Sequence, residues 1–362
     1  MSCRRCNRST GQQQRGAALI IALLVFATCA ALIVAMKSDF ELFYQRAANS
    51  FLAEQGYAHL RGAEDLAALA LVKDYDLDQT RERQRDDLTE VWAMSTPPFP
   101  LEDGGGFMRG LRADPASAGQ FFFLEDLQGR FNLNNLYDSR ANSDPEGKEG
   151  GAARFTPAQA QFIRLLQCFE EPVLSQQEAI AVTEALGDWL DSDSRPRLNG
   201  AEDEYYFTRV PAYRAANRRL ASVSELRAVA HVTPALYRAL APWVTVWPRE
   251  GGSALNINTA PELLLRTLNA DDDLAPLTPQ QAQAMVALRD DSGGFTSVAA
   301  FLEQGTYGDR STSQLQMLLG ERSSWFLLGA VVEVAGRSSH LYSVLHRSQR
   351  RVESRARSSG EL

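Results

Sequence analysis

Residues 14–36 read QRGAALIIALLVFATCAALIVAM, and from Ala17 to Met36 twenty residues pass without a charge, a Pro or a Gly. At about 1.5 Å per residue that run matches the roughly 30 Å hydrocarbon thickness of a bilayer. Ahead of it, MSCRRCNRSTGQQQRG holds Arg4, Arg5, Arg8 and Arg15 and no acid. Such a basic flank is expected to stay cytoplasmic and send the rest of the chain across the membrane. A cleaved secretory signal fits poorly, because its apolar core would be about 7 to 15 residues. Here Lys37-Ser38-Asp39-Phe40-Glu41 continues the helical phase instead of breaking it. A lipoprotein would use Cys29, but Phe26-Ala27-Thr28 lacks the Leu and small residue that site needs. A retained single span is therefore expected. Ala, Leu, Gln and Glu dominate residues 47–72, with Phe51, Leu52, Leu60, Leu66 and Leu69 at helical spacings, so one helix is expected from 17 to about 73.

The junction Gln14-Arg15-Gly16 before Ala17-Ala18-Leu19-Ile20 resembles the leader of a type IV prepilin. The resemblance implies that a prepilin peptidase removes residues 1–16 by cutting between Gly16 and Ala17. It implies a methylated Ala17 and a kept membrane helix from Ala17 to Met36. Most pilins carry Glu at the fifth mature position, where this chain has Ile21. A carboxylate in the bilayer costs about 2.5 to 3.5 kcal/mol and persists only with a partner. In that family the partner is the N-terminal amine of a neighbouring subunit. Its loss suits a subunit at a tip, with no neighbour ahead of it.

The remainder is ordinary globular material: 362 residues, 44% hydrophobic, 23% charged, with a mean hydropathy of −0.27 that excludes a polytopic membrane protein. The formal net charge is −8, and loss of the leader's four Arg takes it to −12, which argues against a phosphate-backbone partner. Asp74 to Arg85 reads as a charged linker, and 96–119, with Pro97, Pro98, Pro100, Gly104, Gly105 and Gly106, as a long loop. No G-K-[ST] follows the triple Gly, so a phosphate loop is not expected. FFFLEDLQGRFNLNNL, 121–136, suggests a strand, a turn at Gln128-Gly129 and a second strand.

Helices are expected over 157–169, 175–190, 222–229, 234–241, 260–268, 279–289 and 297–303, opened by Thr156-Pro157, Ser175, Thr233-Pro234 and Thr278-Pro279. WFLLGAVVEVAG and HLYSVLHR return to strand character around a turn at Gly336-Arg337-Ser338-Ser339. Residues 348–362 are polar and expected to be disordered. Strand pairs do not stand alone in water, so the economical solution pairs the late strands with the early ones against the long helix.

That order, with FNLNNL before the insert, DWLDSDS and GAEDEYY inside it and ALNINTAPELL later, closely resembles the minor pseudopilin K family of type II secretion. The resemblance implies an α+β fold, a pilin-like long N-terminal helix packed on a small antiparallel sheet, with a large all-α domain inserted between strands. The expected boundaries are a leader 1–16, a helix 17–73 spanning the membrane at 17–36, and a first pilin-like part 74–137. They continue with an inserted helical domain 138–319, returning strands 320–347 and a tail 348–362.

DWLDSDSRPRLNGAEDEYY, 188–206, holds six carboxylates: Asp188, Asp191, Asp193, Glu202, Asp203 and Glu204. A hard cation relieves such repulsion, and calcium accepts irregular oxygen-lined loops. Asp191-x-Asp193 starts like an EF-hand, but Arg195 stands at the third ligand position, and the residues alone favour a solvated acidic loop. The K family's helical domain binds calcium, which implies Asp191, Asp193, Glu202 and Asp203 as ligands. Asp271-Asp272-Asp273 reads as a solvated loop.

LNINTAPE from Leu255, LTPQQA from Leu277 and GGFTSV from Gly293 resemble helix-hairpin-helix modules. The hairpin here, DDDLAPL from Asp271, has no Gly and three negative charges that repel DNA. Enzyme motifs are missing: the four His make no H-E-x-x-H, no G-x-S-x-G occurs, and Cys3-x-x-Cys6 lies in the leader. Cys168 on an apolar helix face reads as packed, and Asn132 and Asn134 as residues that fix backbone.

The expectation is a non-enzymatic minor pseudopilin capping the tip of a secretion pseudopilus, with calcium as a structural ion and no nucleic acid. The family implies minor pseudopilins I and J, other pseudopilins, the prepilin peptidase and the inner membrane as partners. It places the C-terminal part in the periplasm. The alternative is a membrane-anchored helix-hairpin-helix protein of a DNA-uptake pilus.

Overall fold

The computed structural model describes residues 14–82, 85–102, 105–137, 154–304 and 307–360; the leader's first thirteen residues and the expected boundary at 138–153 lie outside them. The chain divides into two compact units, 1–58 and 59–362.

The described part of the first unit is helical throughout and belongs to α1, Gln14–Arg81. No Pro interrupts this helix, and its residues 17–46 are all exposed, with an uncharged apolar surface from Ala17 to Met36. The Thr28 hydroxyl donates back to the carbonyls of Leu24 and Val25 at 3.0 and 2.9 Å, so this polar group needs no water.

In the second unit α1 buries Leu60, Ala63, Ala67 and Leu71, a stripe at three- and four-residue spacing. The helix runs to Arg81 rather than ending near 73. The reading of Asp74–Arg85 as a linker is therefore corrected. Asp74 is buried and paired with Arg347, while Asp76 forms an exposed pair with Arg350, so the charges here bond the helix end to the chain at 347–350.

Short strands follow: β1 Phe99–Pro100, β2 Gly106–Gly110, β3 Arg112–Ala113, β4 Phe121–Phe122, β5 Leu124–Asp126 and β6 Phe131–Asn132. The loop expected over 96–119 thus contains three strands. Gly106 misled the reading, because there, as at Gly110, glycine permits close approach rather than flexibility. A Cβ on Gly106 would lie 1.7 Å from the Glu333 carbonyl oxygen, and one on Gly110 2.2 Å from that of Phe122. Gln128-Gly129 turns no hairpin: β5 and β6 join different partners, with a 3-10 turn between them.

The helical block comprises α2 Pro157–Leu166, α3 Gln176–Leu190, α4 Asp203–Phe207, α5 Pro234–Leu240, α6 Glu262–Leu265, α7 Pro279–Ser292, α8 Val298–Gln304 and α9 Ser313–Gln316. It includes β7 Val244–Thr245, β8 Leu255–Asn256 and β9 Leu319–Gly320. Reciprocal capping boxes form at Thr156/Gln159, Ser175/Glu178 and Thr278/Gln281, and Thr233 caps α5. Residues 222–229 close as a 3-10 turn rather than an α-helix. Two parallel strand pairs, β6–β7 and β8–β9, thread the block, so it is not purely α. Its core is continuous with Leu127, Phe131, Leu133 and Leu136 before it and Val344 after it.

β10 Trp325–Val334, β11 Arg337–Ser348 and β12 Arg351–Ser358 complete a six-stranded antiparallel sheet ordered β1-β2-β10-β11-β12, with β5 also on β10. β10 takes β2 along one half and β5 along the other, so strands from both sides of the helical block share one sheet. The hairpin turn is Ala335-Gly336, both at positive φ, beginning one residue before the expected turn and sharing its Gly336. The tail expected to be disordered instead supplies β12, paired with β11 from Ser348↔Arg351 to Tyr342↔Ser358.

Candidate metal centre

α3 ends in the acidic stretch. Its last turn delivers Asp188, which has no exposed surface, and Asp191 caps the helix by donating its N–H to the Gly187 carbonyl. The chain then loops through 192–202 and re-enters a helix at α4, with Glu202 at the N-cap position. Asp191, Asp193 and Glu202 converge: each offers a carboxylate oxygen within 4.8 Å of the others. That spacing fits oxygens around one ion, since calcium–oxygen distances of about 2.3 to 2.6 Å allow ligands up to roughly 5 Å apart.

Arg197 enters the same group. Its Nη1 donates to Asp188 Oδ1 at 2.6 Å and to Asp191 Oδ2 at 2.8 Å, and its backbone N–H also bonds Asp188. The loop fits this closely: a Cβ on Gly200 would sit 1.8 Å from Asp188 Oδ2, and one on Gly187 2.6 Å from Arg197 Nη1. Glu184 holds the far side, accepting from Asn199 N and Nδ2 at 2.8 Å and pairing with Arg154.

One guanidinium does not balance four carboxylates. Asp191 Oδ1 and both oxygens of Glu202 are buried without a hydrogen-bond partner. Burial first, then the charges of Asp188, Asp191, Asp193 and Asp203, push the Glu202 carboxyl up to about 8. Burial likewise lifts Asp188 to about 6 against the pull of Arg197. Orphaned carboxylate oxygens facing one another are a donor set for a hard dication, so the residues fit calcium.

Asp203 is not one of the three that converge. It opens α4, where its Oδ1 accepts the Ala215 N–H at 3.0 Å and its Oδ2 lies 3.9 Å from Arg214. That carboxylate bonds the loop following α4, and the structure does not bring it into the group of three. Arg197 escaped the sequence reading because a cation among acids reads as an argument against a metal.

Asp271 accepts from Ser311 Oγ, Gln314 N and Leu315 N, and Asp272 and Asp273 pair with Arg310, so this solvent-facing loop is also fastened by its acids. The hairpin-like segment is internally spent as well. Gly293 and Gly294 amides donate to Asp290 and Arg289 carbonyls, closing α7 rather than facing a phosphate. Asn132, Asn134, Asn256 and Asn258 all bond buried backbone. Cys168 is packed, and burial pushes its thiol up to about 11. Gly16 and Ala17 lie on α1 with open space around Gly16, and Ile21 and Met36 are exposed on the apolar run.

A family model described as Type II secretion system (T2SS), protein K, matches the chain in two parts, 129–249 and 255–322, together just over half its length. Type II secretion system protein K of Pseudomonas aeruginosa is 34% identical over 346 residues, covering 93% of this chain and 90% of that one. Proteins of the same description from Pectobacterium carotovorum and Klebsiella pneumoniae are 30% and 33% identical, covering 94% and 87% of this chain and 95% and 87% of theirs. Among solved structures, a chain of the GspK-GspI-GspJ complex from enterotoxigenic Escherichia coli superposes with a TM-score of 0.68 at 25% identity, over 88% of this chain and all of that one.

Proposed function

Because the chain belongs to the type II secretion system protein K family, and is thus a minor pseudopilin of that system, we propose that it caps the tip of the periplasmic pseudopilus. There it supports assembly and export as a structural, non-enzymatic subunit. The observation that carries this reading is the match to protein K along nearly the whole chain, in a fold shared with a member of a GspK-GspI-GspJ complex.

In this proposal the chain sits in the inner membrane through Ala17–Met36, N-terminus cytoplasmic, and is cut by the prepilin peptidase between Gly16 and Ala17. It joins minor pseudopilins I and J through α1, and other pseudopilins follow below. The exposed apolar run supports both the membrane phase and the helix-to-helix phase of that life. The large block between β6 and β10 adds bulk that a subunit in mid-filament would have to accommodate. The test is co-expression of the full chain with minor pseudopilins I and J, mild detergent extraction and purification through a tag on this chain. All three proteins are expected together; a chain that leaves I and J behind would overturn the reading.

We propose further that calcium binds Asp191, Asp193 and Glu202. When bound, the ion supplies positive charge to oxygens that otherwise repel, joining the end of α3 to the start of α4. The residues themselves fix the loop through Arg197 and Glu184. Binding only to the folded state stabilises by about 2.7 kcal/mol at a hundredfold excess over Kd. A higher Tm in calcium than in EDTA is therefore expected, and identical melting in the two would sink the assignment.

A further inference from the structure

A second group of acids lies far from the loop in sequence. Asp74 stands on the last turns of α1, and Asp86 and Glu90 on the segment after it; a carboxylate oxygen from each lies within 4.8 Å of the others. All three are buried, at 2%, 2% and 7% exposure. Arg347 of β11 reaches in, Nη1 donating to Asp74 Oδ2 at 2.9 Å and Nη2 pairing with Asp86 Oδ1. Asp86 Oδ2 accepts the Ser323 N–H at 2.7 Å.

Glu90 breaks the pattern. Its Oε2 accepts the Trp92 indole N–H at 2.7 Å, but its Oε1 is shut away from solvent with no hydrogen-bond donor. Among the described residues Arg347 is the guanidinium bonded to this group, and with all three carboxylates ionised the negative charge outweighs it, an excess that a dication would offset. Burial, then the charges of Asp74, Asp86 and Asp78, push an ion-free Glu90 carboxyl up to about 9.

We infer that Asp74, Asp86 and Glu90 form a second site for a hard divalent cation of the calcium class, separate from the loop site, with the orphaned Glu90 Oε1 as the ligand that gives it away. The ion ties the end of α1 to the segment that follows and, through Arg347, to β11. It braces the helix where it meets the sheet.

The experiment uses the full-length chain in detergent, stripped with EDTA, dialysed and titrated with calcium chloride alone, bound calcium being counted by mass spectrometry. Glu90→Gln is expected to bind one equivalent fewer than the wild type. Glu202→Gln is expected to keep the ion that Glu90→Gln loses, and the double variant to bind neither. Wild-type stoichiometry in Glu90→Gln overturns the site, as does a Glu202→Gln chain that binds nothing.

Without the ion the Glu90 carboxyl is held protonated, and Glu90→Gln is a neutral replacement that keeps an acceptor for Trp92, so its Tm in EDTA should equal or exceed that of the wild type. A second readout needs no change at Glu90. In the Glu202→Gln background, terbium bound at this site should luminesce on excitation of Trp92 and dim several-fold in Trp92→Phe. Undiminished emission overturns the site.

Discussion

Arg197 Nη1 lies within 2.8 Å of oxygens of both Asp188 and Asp191, and among the described residues it is the cation paired with the fully buried Asp188. Removing one partner of a buried ion pair costs about 3 to 5 kcal/mol, because the other charge stays behind. Arg197→Met should therefore lower Tm sharply in EDTA. Calcium should recover part of the loss, since more unpaired oxygen then faces the ion. A variant melting like the wild type in EDTA would show that Arg197 is not the internal counter-charge. Gly200→Ala tests the same packing sterically: its Cβ would meet Asp188 Oδ2 at 1.8 Å, so the loop must open and calcium affinity should fall along with Tm. At this scale the sequence was half legible. Asp191, Asp193 and Glu202 announce themselves by density of charge. What closes the site, Arg197 and the small size of Gly187 and Gly200, depends on distances that only the folded loop defines.

The elements divide according to how local their cause is. Helices with a capping residue and a Gln or Glu three positions on, such as Thr156/Gln159 and Ser175/Glu178, were readable because each box is closed within one turn. β2 was not, because its Gly106 answers to Glu333, far along the chain, and its Gly110 to Phe122 of β4, a separate strand. Gly110→Ala should accordingly disrupt pairing of β2 with β10 and cost about 3 kcal/mol or more, as expected for strain in a packed sheet; a melting shift below about 1 °C would contradict the close approach.

β12 was unreadable for a different reason: RVESRARS is the charged composition that protects an edge strand from pairing with other chains. Its tie to α1 runs through Arg357, whose Nε and Nη2 bond Glu64 at 2.8 and 2.9 Å. Burial pushes the Glu64 carboxyl up, but hydrogen bonds from Arg357 and Ser343 and the charges of Arg357 and Arg61 outweigh it and hold the group below its usual range. A depressed folded pKa gives stability that is present above the unfolded value, near pH 4, and lost as pH falls through the folded one. Amide exchange in β12, corrected for the intrinsic rate, should therefore accelerate below about pH 4, and Glu64→Gln should flatten that dependence. An acid response unchanged by Glu64→Gln would place the cause elsewhere.

For the whole molecule, the decisive segment is also the most legible one: twenty uncharged residues and a basic flank need no tertiary context to be read as a membrane span. What the span leaves out is as informative as what it holds. Its hydroxyl at Thr28 is satisfied within the helix, and its fifth residue after Gly16 is Ile21. A subunit whose first turn carries no carboxylate needs no amine from a neighbour ahead of it, which is the condition at a filament tip. Ile21→Glu reverses that condition. In the bilayer the new carboxylate costs about 2.5 to 3.5 kcal/mol unless a partner amine neutralises it, and at a tip none lies ahead. On the proposed processing the variant should still be cut after Gly16, and it should still fold, since Ile21 is exposed. Its membrane-inserted fraction should fall, and secretion should fall in proportion when the variant is the sole copy. Wild-type insertion and secretion by Ile21→Glu would mean that a neighbour does stand ahead of this chain, and the tip position would have to be abandoned.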